Sequence, residues 1–156
     1  MTESRIRELG YELPVAPAPV AAYVPAVTSG SYVYTSGQLP FVEGALPETG
    51  KVSDSGAEGS VTPENAKKYA GISLLNALAA VKSVIGDLDR VQRVVKVVGF
   101  VASEVNFTAQ PAVINGASEL LGEIFGEAGQ HARSAVGVPV LPLDSPVEVE
   151  IIVEYV

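Results

Sequence analysis

An arginine standing alone among small residues in a strand-like run is the side chain of this sequence best suited to hold an anion. The run is His131-Ala132-Arg133-Ser134-Ala135-Val136-Gly137. Strand residues alternate faces, so Arg133 points with His131, Ala135 and Gly137, and Val136, Val138 and Val140 point the other way. Alanine and glycine leave open space around the guanidinium, whose planar fork matches a carboxylate. In a second run Val147, Val149, Ile151, Val153 and Tyr155 share one face, and Glu148, Glu150 and Glu154 share the other. If the two runs are neighbouring strands, a carboxylate stands close to Arg133 around a common pocket. An ordinary amphipathic sheet with a solvated charged face gives the same pattern. The pattern alone leaves both readings open.

Composition removes several other chemistries. The 156-residue chain contains no cysteine and one histidine, which excludes disulfides, thiol catalysis and thiolate metal sites and argues against a protein-built metal centre. No cofactor is called for. A Gly-x-Ser-x-Gly elbow is absent, so serine–histidine catalysis would have to use His131 itself. The net charge of −8 and the lack of a Lys/Arg cluster denser than Arg90, Arg93 and Lys96 argue against nucleic acid as a partner. No stretch approaches the roughly 20 apolar residues of a membrane span, and the N-terminus lacks the order of a signal peptide. These features predict a cytoplasmic protein without a membrane partner. Hydrophobic residues make up 47% of the chain and charged residues 18%. Surplus apolar surface of this kind in a short chain points to an oligomer.

The elements that must position Arg133 and Glu148 can be read in order. Residues 1–20 form a polar start and a Pro14–Pro19 stretch, predicted as an extended lead-in to a single domain spanning 1–156. Tyr23 to Thr28 and Ser31 to Leu39 read as strands joined by a turn at Gly30-Ser31. The glycine-rich segment 41–61 reads as a long mobile loop. Thr62-Pro63 opens a helix with Ala70, Leu74, Leu75, Leu78, Val81 and Ile85 at helical spacing, and Gly86 stops it. Val91 to Ala102 is a central strand. Thr108-Ala-Gln-Pro111 opens a second helix that buries Val113, Ala117, Leu120, Leu121, Ile124 and Phe125 and ends at Gly126. Two C-terminal strands follow. This order predicts an α+β sandwich, one mixed sheet with two helices packed on one face. The other sheet face is left bare and needs a partner.

Three separated segments resemble one family, the Rid (YjgF-type) proteins, many of which are 2-iminoacid deaminases and which an older name calls endoribonuclease L-PSP. Tyr34-Thr-Ser-Gly-Gln-Leu-Pro40 resembles the family's Ser-Gly-Gln-x-Pro signature. Asn115, in the helix after Phe107, is similar to the family's Phe…Val-Asn helix. Arg133-Ser134, Leu141-Pro142 and Val147-Glu-Val-Glu150 resemble its terminal Arg-Ser/Thr…Leu-Pro…Val/Ile-Glu-x-Glu pattern, and Tyr23 matches a tyrosine ahead of the first signature. The resemblance covers roughly residues 20 to 156. It departs from the family at His131, where proline or threonine is usual, and at Ala135, where a thiol is frequent. These departures mark a divergent subgroup.

The resemblance implies a chorismate-mutase-like fold, a homotrimer and clefts between subunits. It also implies a reaction, hydrolysis of a short-lived 2-imino or enamine acid to a 2-keto acid and ammonia. On it, Arg133 binds the substrate carboxylate and Glu148 positions the hydrolytic water, with Tyr23, Ser36, Gly37, Asn115 and His131 shaping or lining the cleft. Such a site needs little machinery beyond an anchor, a proton acceptor and positioning. Each residue also has a structural alternative: an Arg133–Glu148 ion pair, a tight backbone approach at Ser36-Gly37, a helix-surface amide at Asn115, a packed ring at Tyr23 and a structural imidazole at His131. The alternative function is a non-catalytic trimer that binds a small carboxylate metabolite as a sensor or regulator.

Overall fold

A computed structural model describes residues 1–16 and 22–156. The long helix α2, Pro63–Ile85, starts where Thr62 Oγ1 accepts a hydrogen bond from Asn65 N–H at 3.2 Å, with proline in the first turn. It ends at Gly86, whose φ of 88° few other residues adopt readily. The second helix, α3, spans Gln110–Phe125 and ends at Gly126. Its N-cap is Ala109 with no side-chain cap, so Thr108 does not start it as the sequence suggested.

Five strands form one sheet: β1 Ala26–Ser29, β2 Tyr32–Thr35, β3 Val91–Ala102, β4 Ala132–Val138 and β5 Val147–Tyr155, in the order β1-β2-β5-β3-β4. β3 and β4 run parallel across the α3 connection, and the other neighbours are antiparallel. The sheet is thus mixed, as predicted. Helices α2 and α3 cover one face. Leu74, Leu78, Val81, Ile114 and Leu121 from the helices meet Val33, Val94, Val97, Val101, Val149, Ile151 and Val153 from the strands, all buried. The two helices approach closely at Gly116, where a Cβ would collide with the backbone carbonyl of Lys67. The opposite sheet face carries exposed Val27, Tyr34 and Val136 and half-buried Val98, Phe100 and Ile152, with no helix over them among the described residues.

Two further expectations are corrected and one open alternative is decided. The lead-in is not wholly extended, because α1, Thr2–Glu8, is a helix that buries Ile6 completely and has its Arg5 Nε–H bonded to Glu123 O at 2.9 Å. Isolated apolar residues such as Ile6, Leu9 and Leu13 were too few to show a period, yet all three join the core. Of the Pro14–Pro19 stretch, residues 17–19 lie outside the described residues, as do 20 and 21. Segment 41–61 is anchored: Val52 and Val61 are fully buried and bridge to one another, and Val52 also bridges to Ser103. Glu48 accepts hydrogen bonds from Tyr69 Oη at 2.8 Å and Asn65 Nδ2 at 3.3 Å, and burial first, then this carboxylate, pushes the Tyr69 phenol up to about 12. Finally, the two C-terminal strands are not neighbours. β3 lies between them.

Candidate active site

The position of β3 decides where the two charged residues go. Arg133 is in register with Val97, and Val97 with Ile151, both buried beneath the helices. Cα partners share a face, so Arg133 projects to the helix side of the sheet. Glu148 is in register with Phe100 and alternates with the buried Val147 and Val149, so it projects to the uncovered side. Within one chain the two residues therefore occupy opposite faces, and no ion pair joins them among the described residues.

Arg133 sits at the edge of the sheet against α3. Its Nη1 donates to Asn115 Oδ1 at 2.8 Å and to Ser118 Oγ at 3.2 Å. Ser118 Oγ lies 2.8 Å from His131 Nε2, and His131 Nδ1 lies 2.6 Å from Gly129 O. A carbonyl can only accept, so Nδ1 carries the proton. In the neutral ring Nε2 is then an acceptor for the Ser118 hydroxyl. The bonds run in one direction, from guanidinium to serine to imidazole to carbonyl. They occupy Nη1 and leave the Nη2–Nε edge of the fork for a ligand. Asn115, Ser118, His131 and Arg133 are thus linked by hydrogen bonds. Ser118 was missed, although it lies one helical turn beyond Asn115 and so on the same face.

Glu148 is positioned by an irregularity in β2. Tyr34 pairs with Ile152, but the next bridge is Gln38 with Val149, so the chain running on from β2 carries one more residue than β5 over this stretch. Thr35 Oγ1 replaces the displaced carbonyl, accepting from Ile151 N–H at 3.0 Å. The bulge lays Gly37 against the glutamate: a Cβ there would stand 2.7 Å from Glu148 Cδ and Oε2. Only glycine fits without moving the carboxyl. Burial first, and then the negative charge of Glu150, push the Glu148 carboxyl above the usual carboxylate range. In one chain Arg133 is on the far face and makes no opposing contribution.

The other proposed cleft residues divide unevenly. Ser36 Oγ donates to Val24 O at 2.6 Å and Ser36 N–H to Pro25 O at 2.8 Å, which ties the entry to β1 against the bulge. Its hydroxyl is committed to that role. Tyr23, 64% exposed, precedes β1 and is not among the buried core residues. Two concavities of the single chain have other linings. One of about 430 Å³ is bordered by Lys51, Glu58, Glu104 and Asp144, and one of about 540 Å³ by Tyr32, Arg93, His131 and Glu154. Neither is lined by Arg133 or Glu148. Among the described residues no group of three or more His, Asp or Glu is placed to hold a metal.

A mixed sheet with two covering helices, a Ser-Gly-Gln bulge and an edge arginine define a class of fold, and comparison with known proteins gives the same class. Residues 3–155 match the family model described as "YjgF/chorismate_mutase-like, putative endoribonuclease". The chain belongs to the YjgF/Rid family. It is 43% identical to Protein TCP17 of Trypanosoma cruzi over 97% of this chain and 92% of that one. The crystal structure of Atu1372 from Agrobacterium tumefaciens, a protein of unknown function, superposes with a TM-score of 0.89 at 44% identity, covering 99% of this chain and 92% of that one. "Putative reactive intermediate deaminase TdcF" of Escherichia coli is 32% identical over 88% of this chain and 89% of its own length. TdcF crystallised with bound serine superposes with a TM-score of 0.63 at 26% identity, covering 90% and 94% of the two chains. The larger distance to TdcF is consistent with a divergent subgroup.

Proposed function

We propose that this protein is a hydrolytic deaminase of small 2-imino or enamine acids, with its site assembled between subunits of a homotrimer. The observation that carries the reading is Arg133, a guanidinium fixed by Asn115 and Ser118 with no carboxylate partner among the described residues. An arginine so held is prepared for a ligand carboxylate. Because Glu148 lies on the uncovered face, a site that uses both takes Arg133 from one subunit and Glu148 with Gly37 from another. The uncovered apolar face gives the subunits a surface to pack with.

In this site Arg133 holds the carboxylate and so places C2 of the imine. Glu148 accepts a proton from water as the oxygen adds to C2, giving a tetrahedral carbinolamine. That proton passes to the imine nitrogen; the carbinolamine hydroxyl then gives its own proton through Glu148 to the same nitrogen, the C2–N bond breaks, and ammonia departs to leave the 2-keto acid. Nitrogen leaves at the oxidation level at which it arrived, so no redox partner is needed. Relatives named as reactive intermediate deaminases support this chemistry.

The separation of Arg133 from Glu148 also favours a second reading, a trimer that binds a small carboxylate at Arg133 without turnover. The two are separated by measuring ammonia from 2-iminopropionate generated in situ, with light scattering to give the assembly. The proposal expects ammonia release above the spontaneous rate from a trimer. A monomer at micromolar concentration removes the composite site. A trimer that binds pyruvate but releases ammonia only at the spontaneous rate is the sensor.

A further inference from the structure

We infer that Ser118 and His131 form a positioning couple for Arg133, and that the couple rather than the imidazole's own contact with substrate is what His131 supplies. The inference rests on the reading of Arg133 as the carboxylate anchor. An arginine on an edge strand has several rotatable bonds and loses much freedom when fixed. Asn115 alone gives Nη1 one acceptor at 2.8 Å, a single point about which the guanidinium can still swing. Ser118 gives the same nitrogen a second acceptor at 3.2 Å. A serine hydroxyl is a free rotor that can turn its proton toward the arginine and cease to accept from it. Here it cannot do so profitably, because His131 Nε2 at 2.8 Å takes the hydroxyl proton. His131 in turn is fixed by Nδ1–H bonded to Gly129 O, where α3 has ended and the chain turns into β4. The imidazole sets the hydroxyl, the hydroxyl sets the guanidinium, and the Nη2–Nε edge is presented to the ligand in one orientation.

Geometry also argues against a direct role for the ring. Both ring nitrogens of His131 are engaged, one by serine and one by the backbone. No nitrogen is left to meet a substrate without breaking the relay. Ser118 and His131 therefore act through Arg133.

The test exploits the presence of a single histidine in the chain, whose ring signals are unambiguous. In the ligand-free wild type, NMR is expected to show the Nδ1–H tautomer and separate Nη1 and Nη2 signals for a guanidinium that does not rotate. In Ser118→Ala and His131→Leu the two Nη signals are expected to merge, and pyruvate affinity to fall about fivefold to tenfold, the scale of one hydrogen bond to a charged group acting indirectly. His131→Gln should restore most of the affinity, since its amide oxygen can accept from Ser118. The couple predicts a raised KM with kcat nearly kept. Variants that keep separate Nη signals and wild-type pyruvate affinity overturn it, as does a failure of glutamine to rescue. If the wild type shows a fixed guanidinium that loosens in Ser118→Ala but binds no pyruvate, the positioning stands and the carboxylate-anchor reading falls.

Discussion

Arg133 stands at the edge of the sheet with contacts that favour and orient its charge, whereas Glu148 stands on the open face with contacts that oppose its own. The first residue has Asn115 and Ser118 as acceptors. The second has partial burial and the Glu150 carboxylate, and beside it Gly37 lacks the Cβ that would crowd it. A binding group needs its geometry fixed before the ligand arrives. A proton acceptor needs the opposite: its charged form must be costly enough to take up a proton. The comparison therefore separates the half that binds from the half that reacts, and each substitution below tests one side of it.

Arg133→Ala has the largest expected effect. Loss of a buried charged contact costs roughly 2–5 kcal/mol, or roughly 30-fold to several-thousand-fold in affinity for 2-keto acids. The fold should remain, because the arginine's partners Asn115 and Ser118 lie at a half-exposed edge. Arg133→Lys should recover little, since an ammonium cannot present a planar two-bond edge. Calorimetry with pyruvate decides it, and unchanged affinity reassigns Arg133 to structure.

Glu148→Gln keeps shape and removes the proton acceptor. Turnover should fall about 10²-fold or more while pyruvate affinity is nearly kept. Equal losses of binding and turnover would mean that the two halves are not separable.

Gly37→Ala comes next. The atoms a Cβ would meet belong to the end of the Glu148 side chain, which can swing away, so stability should change little. The displaced carboxyl no longer meets its water, and turnover should drop about 10-fold to 10²-fold, the cost of a small misplacement. A wild-type rate in a folded Gly37→Ala protein would show that Glu148 has no fixed position to defend.

The sequence made the two halves visible to different degrees. Face alternation in β4 and β5 follows from the period of two, so the residues sharing a face with Arg133 and the burial of Val147, Val149, Ile151 and Val153 were legible. Strand order was not, because alternation says nothing about which strand lies beside which. Inserting β3 between β4 and β5 puts Glu148 on the face opposite Arg133. Helix caps at Thr62 and Gly86 announced α2, but α1 has one fully buried residue, Ile6, and no period to detect. Ser118 carried a faint signal, its spacing from Asn115. The β2 bulge carried almost none, since Thr35 replaces a backbone acceptor by a side-chain contact that depends on the fold.

The smallest effect is the most discriminating, the titration of Glu148 itself. In a single chain its carboxyl titrates above the ordinary range because burial and Glu150 disfavour the charge. A raised carboxyl means that the folded state binds more protons than the unfolded one between the two pKa values. The stability this lends is complete below the ordinary glutamate pKa and is lost as pH rises through the folded value. Glu148→Gln should then be slightly more heat-stable than wild type at neutral pH and equal to it in acid. An Arg133 brought over Glu148 by a neighbouring subunit acts in the opposite direction, pulling the carboxyl back down. Removing that arginine should therefore raise the Glu148 titration, followed by carboxyl carbon NMR in wild type and in Arg133→Ala. An upward movement in Arg133→Ala joins the two halves across a subunit boundary. If the two curves coincide, Arg133 and Glu148 belong to separate surfaces, and the anchor and the proton acceptor do not serve one substrate.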